Sequence, residues 1–401
     1  MNRSIPPNKS QPPDRVISLG KGLPVVPERL LLAHARGQVL FITGAGVSMP
    51  AGLPDFRKLV IDVYAKLDKT VHAVLSTSDD APVGFEGLTS QQIAEVKRFR
   101  RSDYDVVLGM LERRIDDKPG VASRVRAASA DVLRASGSRP ARIHKALMRL
   151  ADRGAATAIV TTNFDLLLQA GSSANRRPQT YSLGGIPRPA RNSEFSGIFH
   201  IHGALDRNVK RTSDLVLTDQ DFGEFYMRRR SIPDFIYDVA RLFHIVLVGY
   251  SADDPPMRYL LNAIAAEGVR FDDLRERFTF VGSASPDPVL MEDWKGRGIT
   301  PVAYDSRDGH KSLLDLLERW AELSAVNGNP RQVYAEIRRI VRSPRSLAAE
   351  ADRDLFDHLI RRGSTSDRVK LSNLASKVGA DMAWLDAIAA IALEREGEAS
   401  T

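Results

Sequence analysis

Residues 38–57 read QVLFITGAGVSMPAGLPDFR. The apolar run from Val39 to Ile42 enters a glycine turn at Gly44 and Gly46, the pattern of a buried parallel strand leading into a phosphate-holding loop. Glycines let backbone N–H groups approach a diphosphate, and the residues beyond can supply a helix N-terminus to face its charge. A glycine pair after a strand also marks a plain turn, so the downstream residues must decide between a nucleotide site and a bend.

The composition limits the chemistry. A chain of 401 residues has room for one large domain or two modest ones with a sizeable core. Hydrophobic residues at 43% and charged residues at 27% are those of a soluble globular protein. The sequence has no apolar run long enough to cross a bilayer and no signal-peptide pattern at MNRSIPPNKSQPPDR, so a cytoplasmic location is expected. Cysteine is absent, which excludes disulfides, thiolate chemistry and a cysteine-ligated zinc. A net charge of +7 suits an anionic ligand or partner, nucleic acid included.

Outward from the first strand, residues 1–22 are rich in proline, serine and asparagine and read as a flexible arm. The spacing predicts a helix over 59–75, with Val60, Val63, Tyr64 and Leu67 on one face. Helical periodicity fills 90–150 and predicts an insertion that roofs the carboxyl end of the first strand. Strands are then expected at 158–161, 197–201, 244–248, 278–281 and 300–303, with helices at 221–230, 256–266 and 313–323. Several of these strands deliver Gly, Ser, Thr or Asn into a loop, which implies an open parallel sheet with its ligand at the carboxyl ends. Residues 326–401 read as a basic helical domain for oligomerisation or partner binding, and LSNLASKVGADMAWLDAI has the spacing of two short helices around Gly379.

Four segments together, GAGVSMPAGLPDFR (44–57), TTNFDLLL (161–168), HIHG (200–203) and VGYSADDPPMRYLL (248–261), resemble the divergent SIR2-like domains of the sirtuin superfamily associated with prokaryotic antiphage defence. The resemblance covers roughly 25–320. It implies an α/β fold with a Rossmann-like parallel sheet of the sirtuin type, here with a helical insertion and a helical C-terminal extension. The NAD-binding catalytic domain is expected over 23–325. NAD+ is implied as the substrate. Ala45, Gly46 and Ser48 would then cradle the diphosphate, and Asp55, Phe56 and Arg57 would line the cofactor loop. Asn163 and Asp165 would face the nicotinamide ribose and carboxamide, Gly249 and Ser251 the adenosine ribose, and His202 matches the catalytic histidine.

The chemistry has a physical logic of its own. Breaking the bond between nicotinamide and ribose develops positive charge on the sugar, so the site must hold the diphosphate and place polar groups around C1′. Asn163 can position a water or ribose hydroxyl through its carbonyl while its amide donates elsewhere. An unperturbed histidine titrates near neutrality, so His202 can take a proton. Plainer roles stay open beside these: Asp165 as a helix cap, Asp55 and Arg57 as a pair holding their loop, Asp253 and Asp254 as caps before a helix, and His200 as a structural neighbour.

Deacylating sirtuins resemble this chain less closely. They carry a small zinc module with four cysteines, and no zinc is expected in a chain without cysteine. Their glutamine-asparagine-isoleucine-aspartate pattern reads here Thr162-Asn163-Phe164-Asp165. The expected activity is therefore an NAD+ glycohydrolase that releases nicotinamide and ADP-ribose as the NAD-depleting effector of a defence system. A deacylase, an ADP-ribosyltransferase or a non-catalytic NAD or ADP-ribose sensor stands as the alternative. The resemblance implies a homo-oligomer or a partner such as an HerA-type ATPase, with nucleic acid engaged through the assembly or the basic tail and no membrane.

Overall fold

The computed structural model describes residues 15–77, 84–116, 123–135, 137–154, 156–173, 177–191, 194–205, 215–249, 261, 264 and 274–399. The chain forms two compact units, one of residues 38–301 and one that joins 1–37 to 302–401.

In the second of these, Val16–Ser18 (β1) pairs antiparallel with Val25–Pro27 (β2) ahead of a helix at Glu28–Ala35 (α1). The composition of 1–22 predicts an arm; of its described residues, 15–22, Ile17 and Leu19 are buried.

The central sheet has seven strands in the order β5-β6-β4-β3-β7-β8-β9. Its strands are Val39–Thr43 (β3), Ala158–Thr161 (β4), Thr180–Ser182 (β5), Gly197–His200 (β6), His244–Val248 (β7), Arg277–Ser283 (β8) and Thr300–Asp305 (β9). Every pairing from β5 through β8 is parallel. Strand β3 sits between β4 and β7 and is buried along its whole length, as a central parallel strand covered on both faces must be. The chain winds from β3 to β4 and outward on one side, then returns to start β7 on the other. The carboxyl ends of β3 and β7 therefore diverge at the switch point where an open α/β sheet opens a crevice.

One face of the sheet packs Leu40, Ile42, Ala158, Val160, Ile245 and Leu247 with a stack of Phe195, Phe199 and Phe243. The Phe195 and Phe199 rings stack 4.5 Å apart and nearly parallel.

After β3 come Phe56–Leu67 (α2), Lys69–Leu75 (α3), Ser90–Phe99 (α4), Tyr104–Ile115 (α5), Arg124–Ala135 (α6) and Arg142–Leu150 (α7). The single helix predicted over 59–75 is two, because Asp68 leaves the helical conformation and its carboxylate accepts from the Val71 N–H to start α3. A second apolar cluster joins Leu59, Val60 and Val63 of α2 to Val96, Val107, Leu108, Leu111 and Val125 of the insertion, and to Leu205, Leu215 and Leu217. The insertion thus lies against both the helix after the first glycine loop and the segment after the HIHG stretch. Helix α7 stands apart from this cluster and packs on Leu167–Gly171 (α8).

Downstream, Asp219–Phe222 (α9) runs into a π-helical stretch at Gly223–Arg228, followed by Ser231–Leu242 (α10) and Pro288–Gly296 (α11). The helix expected at 256–266 lies outside the described residues except for Leu261 and Ile264.

The smaller unit continues with Lys311–Leu323 (α12), Pro330–Ile340 (α13), Glu350–Arg361 (α14), Thr365–Lys377 (α15) and Met382–Ala399 (α16). Gly379, at φ +76°, turns the chain between α15 and α16. Trp384 anchors this bundle, fully buried against Phe356 with its indole N–H on the Ser343 carbonyl. Among the described residues no helix is long and apolar enough to cross a membrane.

Candidate functional site

The loops leaving β3, β4, β6 and β7 meet at one end of the sheet. The Gly44 N–H donates to the Val248 carbonyl at 3.0 Å, and the Gly46 N–H to the Gly249 carbonyl at 2.9 Å. These two loops touch backbone to backbone: a Cβ at Gly46 would lie 2.9 Å from the Gly249 Cα, and one at Gly249 only 2.5 Å from the Val47 nitrogen. Gly249 also adopts φ +59°. The glycines of both motifs are therefore required by each other. Val47 and Ser48 donate back to Gly44 and Ala45, so of the amides from Gly44 to Ser48 only that of Ala45 has no acceptor among the described residues.

Strand β4 ends in a turn that is held from several directions. The Thr162 N–H donates to the Thr43 carbonyl, and the Asn163 N–H to the Thr161 hydroxyl at 3.0 Å. The Asn163 amide nitrogen donates to the Gly44 carbonyl at 3.0 Å and to the Ser48 hydroxyl at 2.9 Å. A carbonyl can only accept, so Gly44 fixes which end of the amide faces it. Oδ1 of Asn163 is left as an acceptor with no donor among the described residues. Ser48, nearly buried, passes its own proton to Oδ2 of Asp165 at 2.7 Å. Oδ1 of Asp165 accepts from the Leu167 N–H at 2.9 Å in an Asx turn ahead of α8, whose N-cap position is Leu166, so Asp165 sits one residue before the cap that the sequence suggested.

Two histidines bracket the carboxylate. His200 is fully buried, and its Nδ1 lies 2.8 Å from the Asn163 carbonyl. Because that partner only accepts, Nδ1 carries the proton, and Nε2 is a buried lone pair without a partner among the described residues. His144 of α7, which sequence periodicity did not single out, is also buried; its Nδ1 accepts from the Ala141 N–H and its Nε2 has no partner among the described residues. Burial lowers the pKa of both rings, and the nearby Asp165 charge pulls the other way.

His202 follows β6 and sits between aromatic rings, with Phe222 edge-on at 5.5 Å and Tyr226 at 5.9 Å. Its Nε2 is 2.7 Å from the Tyr226 hydroxyl. Burial lowers its pKa to about 4, so the ring is neutral at physiological pH.

The remaining predicted residues lie on the first loop and α2. Asp55 caps α2 by accepting the Lys58 N–H at 2.7 Å. Phe56 stands edge-on to Tyr104 of α5, and the Arg57 guanidinium lies 5.1 Å from the Phe99 ring centre. Both side chains therefore face the insertion. An open cavity of about 620 Å³ on the outer side of this loop is lined by Asp55 with Met49, Leu53, Lys58 and Val132, and by none of Asn163, Asp165, His202 or Gly249. Ser251, Asp253 and Asp254 lie outside the described residues. Among the described residues no cluster of three or more His, Asp or Glu could hold a metal ion.

A parallel α/β sheet with polar loops gathered at its switch point defines the class of protein. Within it, residues 157–302 match the family model of the SIR2-like domain. An uncharacterized protein, y4cA, of Sinorhizobium fredii is 32% identical over 391 residues; the match takes in 92% of this chain, which spans 29% of that relative's length. A solved structure described as "Structural Basis for the Mechanism and Regulation of Sir2 Enzymes" aligns over 74% of this chain and 98% of its own at 15% identity and a TM-score of 0.34.

Proposed function

We propose that the chain is a SIR2-like NAD+ glycohydrolase that releases nicotinamide and ADP-ribose. The observation that carries this reading is the Asn163 side chain: its amide is locked by Gly44 and Ser48, while Oδ1 is left to accept a hydrogen bond from a water or a ribose hydroxyl. The SIR2-like match over 157–302 supports NAD+ as the substrate, because that stretch contains Asn163, Asp165 and His202.

In the reaction, the bond from C1′ to the nicotinamide nitrogen breaks with its electron pair leaving on nitrogen, which neutralises the pyridinium. The water oxygen bonds to C1′ and gives up one proton. Asn163 orients the reacting oxygen, and neutral His202 has a lone pair for that proton. The Ala45 N–H supports a phosphate contact, being, of the amides from Gly44 to Ser48, the one without an acceptor among the described residues. Asp55 N-caps α2, while Phe56 and Arg57 brace that loop on the insertion.

The role as a defence effector, and an HerA-type ATPase as partner, rest on the motif resemblance. Exposed Leu347, Val369, Val378, Met382 and Leu393 in the smaller unit support a docking role for the C-terminal helices, in a homo-oligomer or with a second protein. Nucleic-acid binding by the tail has weaker support, since Arg339 is paired to Glu336 and Asp352, and Arg345 to Asp357.

The test is an NAD+ assay of wild type and Asn163→Ala, alone and with the protein encoded beside it, with nicotinamide, ADP-ribose and cyclic products resolved by chromatography. Asparagine-dependent release of nicotinamide and ADP-ribose in equal amounts is expected. Nicotinamide release only with an acylated peptide or nucleic acid present would overturn hydrolysis in favour of transfer.

A further inference from the structure

We propose that His200 is a positioning residue for Asn163: its Nδ1–H holds the Asn163 carbonyl where the chain leaves the sheet, and so sets where the Asn163 side chain delivers Oδ1. This rests on the role given to Asn163 above and names what places that residue.

Backbone hydrogen bonds follow β4 only so far. Thr161 is in register with His200 of β6, and the Ile201 N–H donates to the Thr161 carbonyl at 3.0 Å. One residue on, the Thr162 N–H still reaches the Thr43 carbonyl of β3. At Asn163 the chain turns out of the ladder. Its N–H goes back to the Thr161 hydroxyl, and no backbone N–H among the described residues reaches its carbonyl. A carbonyl enclosed by protein needs a donor from somewhere. His200 supplies it from the neighbouring strand, with Nδ1 2.8 Å from the carbonyl oxygen. A carbonyl cannot donate, so the direction of this bond is fixed, and the ring gives the proton whether it is neutral or charged.

The ring is suited to that one task. His200 is fully buried at the end of β6, and among the described residues the bond to Asn163 is the one hydrogen bond its ring makes, Nε2 having none. An apolar residue would fill the same space without it. Both backbone groups of Asn163 are thus held by side chains, of Thr161 and of His200. From that fixed backbone the carboxamide reaches Gly44 and Ser48 through Nδ2 and leaves Oδ1 over. Without the His200 donor the Asn163 peptide is free to rotate toward another, which swings the Cα–Cβ bond and carries Oδ1 off its mark. A shift of about 1 Å in a reacting geometry costs about 100-fold in rate, so a smaller one is felt in kcat. The HIHG stretch then serves the site twice, once through His202 and once through what His200 does to Asn163.

The experiment compares His200→Leu, which fills the space without a donor, with His200→Asn, whose amide nitrogen stands near the place of Nδ1. At temperatures where each is folded, His200→Leu should lower kcat for nicotinamide release about tenfold and leave KM for NAD+ within about twofold, and His200→Asn should recover most of the loss. A reading independent of activity comes from the full chain labelled with 15N-asparagine, with Asn163→Ala identifying the Asn163 carboxamide signal, which His200→Leu should shift. Ring-15N histidine in wild type should show His200, identified by its absence from His200→Leu, protonated at Nδ1. A wild-type His200 protonated only at Nε2 would overturn the proposal. So would a folded His200→Leu with unchanged kcat or an unmoved carboxamide signal, or a His200→Asn as slow as His200→Leu. The wild-type histidine spectrum decides the matter if His200→Leu does not fold, with His200→Asn then identifying the signal. If wild type releases no nicotinamide, the glycohydrolase reading fails by itself, while the carboxamide signal still decides whether His200 places Asn163.

Discussion

The loops around Asn163 and the charged network inside the insertion are both polar and both largely withdrawn from water, and they end differently. In the insertion, Arg114 grips Glu95 and Asp68, the Tyr64 hydroxyl donates to Glu95, and Gln92 donates to Asp68. Arg126 likewise closes on Glu112, Asp221 and Leu215. Burial and the Glu95 charge push the Tyr64 hydroxyl far above its usual pKa, so it stays a donor. At the carboxyl end of the sheet the bonds close just as tightly around Ser48, but among the described residues Oδ1 of Asn163, the Ala45 N–H and Nε2 of His200 are left over. A saturated polar network fixes a structure, whereas unused capacity on a rigid frame is what a ligand can engage.

The comparison breaks first if the insertion network proves dispensable. Arg126→Met leaves Glu112 and Asp221 without their partner in a buried setting, and unfolding in urea should show a loss of about 3–5 kcal/mol. An effect below about 1 kcal/mol would mean that the network is not what holds α5, α6 and the 215–221 segment.

The site should behave in the opposite way, losing function with little stability. Asn163→Ala is expected to cut nicotinamide release about 100- to 1,000-fold, as removal of a positioned polar group does, with a midpoint near that of wild type. Parallel loss of folding and activity would erase the distinction.

Acid separates the two regions next. His202 is neutral in the fold with a pKa lowered to about 4 by burial, against about 6.5 unfolded. The unfolded chain therefore binds the extra proton between those values. The stability that neutral His202 gives is complete above about pH 6.5 and declines as the pH falls toward 4, by about 3 kcal/mol in all. His144, His200 and His358 are shifted in the same direction. Urea midpoints between pH 7 and 4.5 should fall steeply in wild type and less steeply in His202→Gln.

The smallest effects belong to the glycines. Gly46→Ala must push against the Gly249 backbone and should cost about 1–3 kcal/mol, whereas Gly52→Ala, at φ +88° with open space around it, should cost about 1 kcal/mol from backbone strain alone. Equal costs would mean that the two loops do not need their close approach.

Much of this was legible in the chain. The run Val39–Thr43 is apolar because both its faces are covered, and the strands at 158–161, 197–201 and 244–248 carry the same signature. Strand Thr180–Ser182 escaped because it is short, polar and half-exposed at the sheet edge, so neither an apolar run nor alternation announces it. The break at Asp68 escaped because the apolar period runs on through it. His144 and Tyr226 sit at positions that look like ordinary helix packing, and their distance in sequence from Asp165 and His202 conceals them.

By itself the sequence determined the strand-and-loop alternation, the absence of thiol chemistry and the identity of the polar residues at the loop ends, because those depend on local period and residue type. Which atoms of those residues are occupied was decided only by the tertiary structure. The direction of the Asn163 amide, the pairing of Gly46 with Gly249, and the clamp of Arg126 on Asp221 all join residues far apart in the chain. Hydrogen-bond capacity is used up by whatever neighbour the fold supplies, and a sequence shows the capacity but not the neighbour.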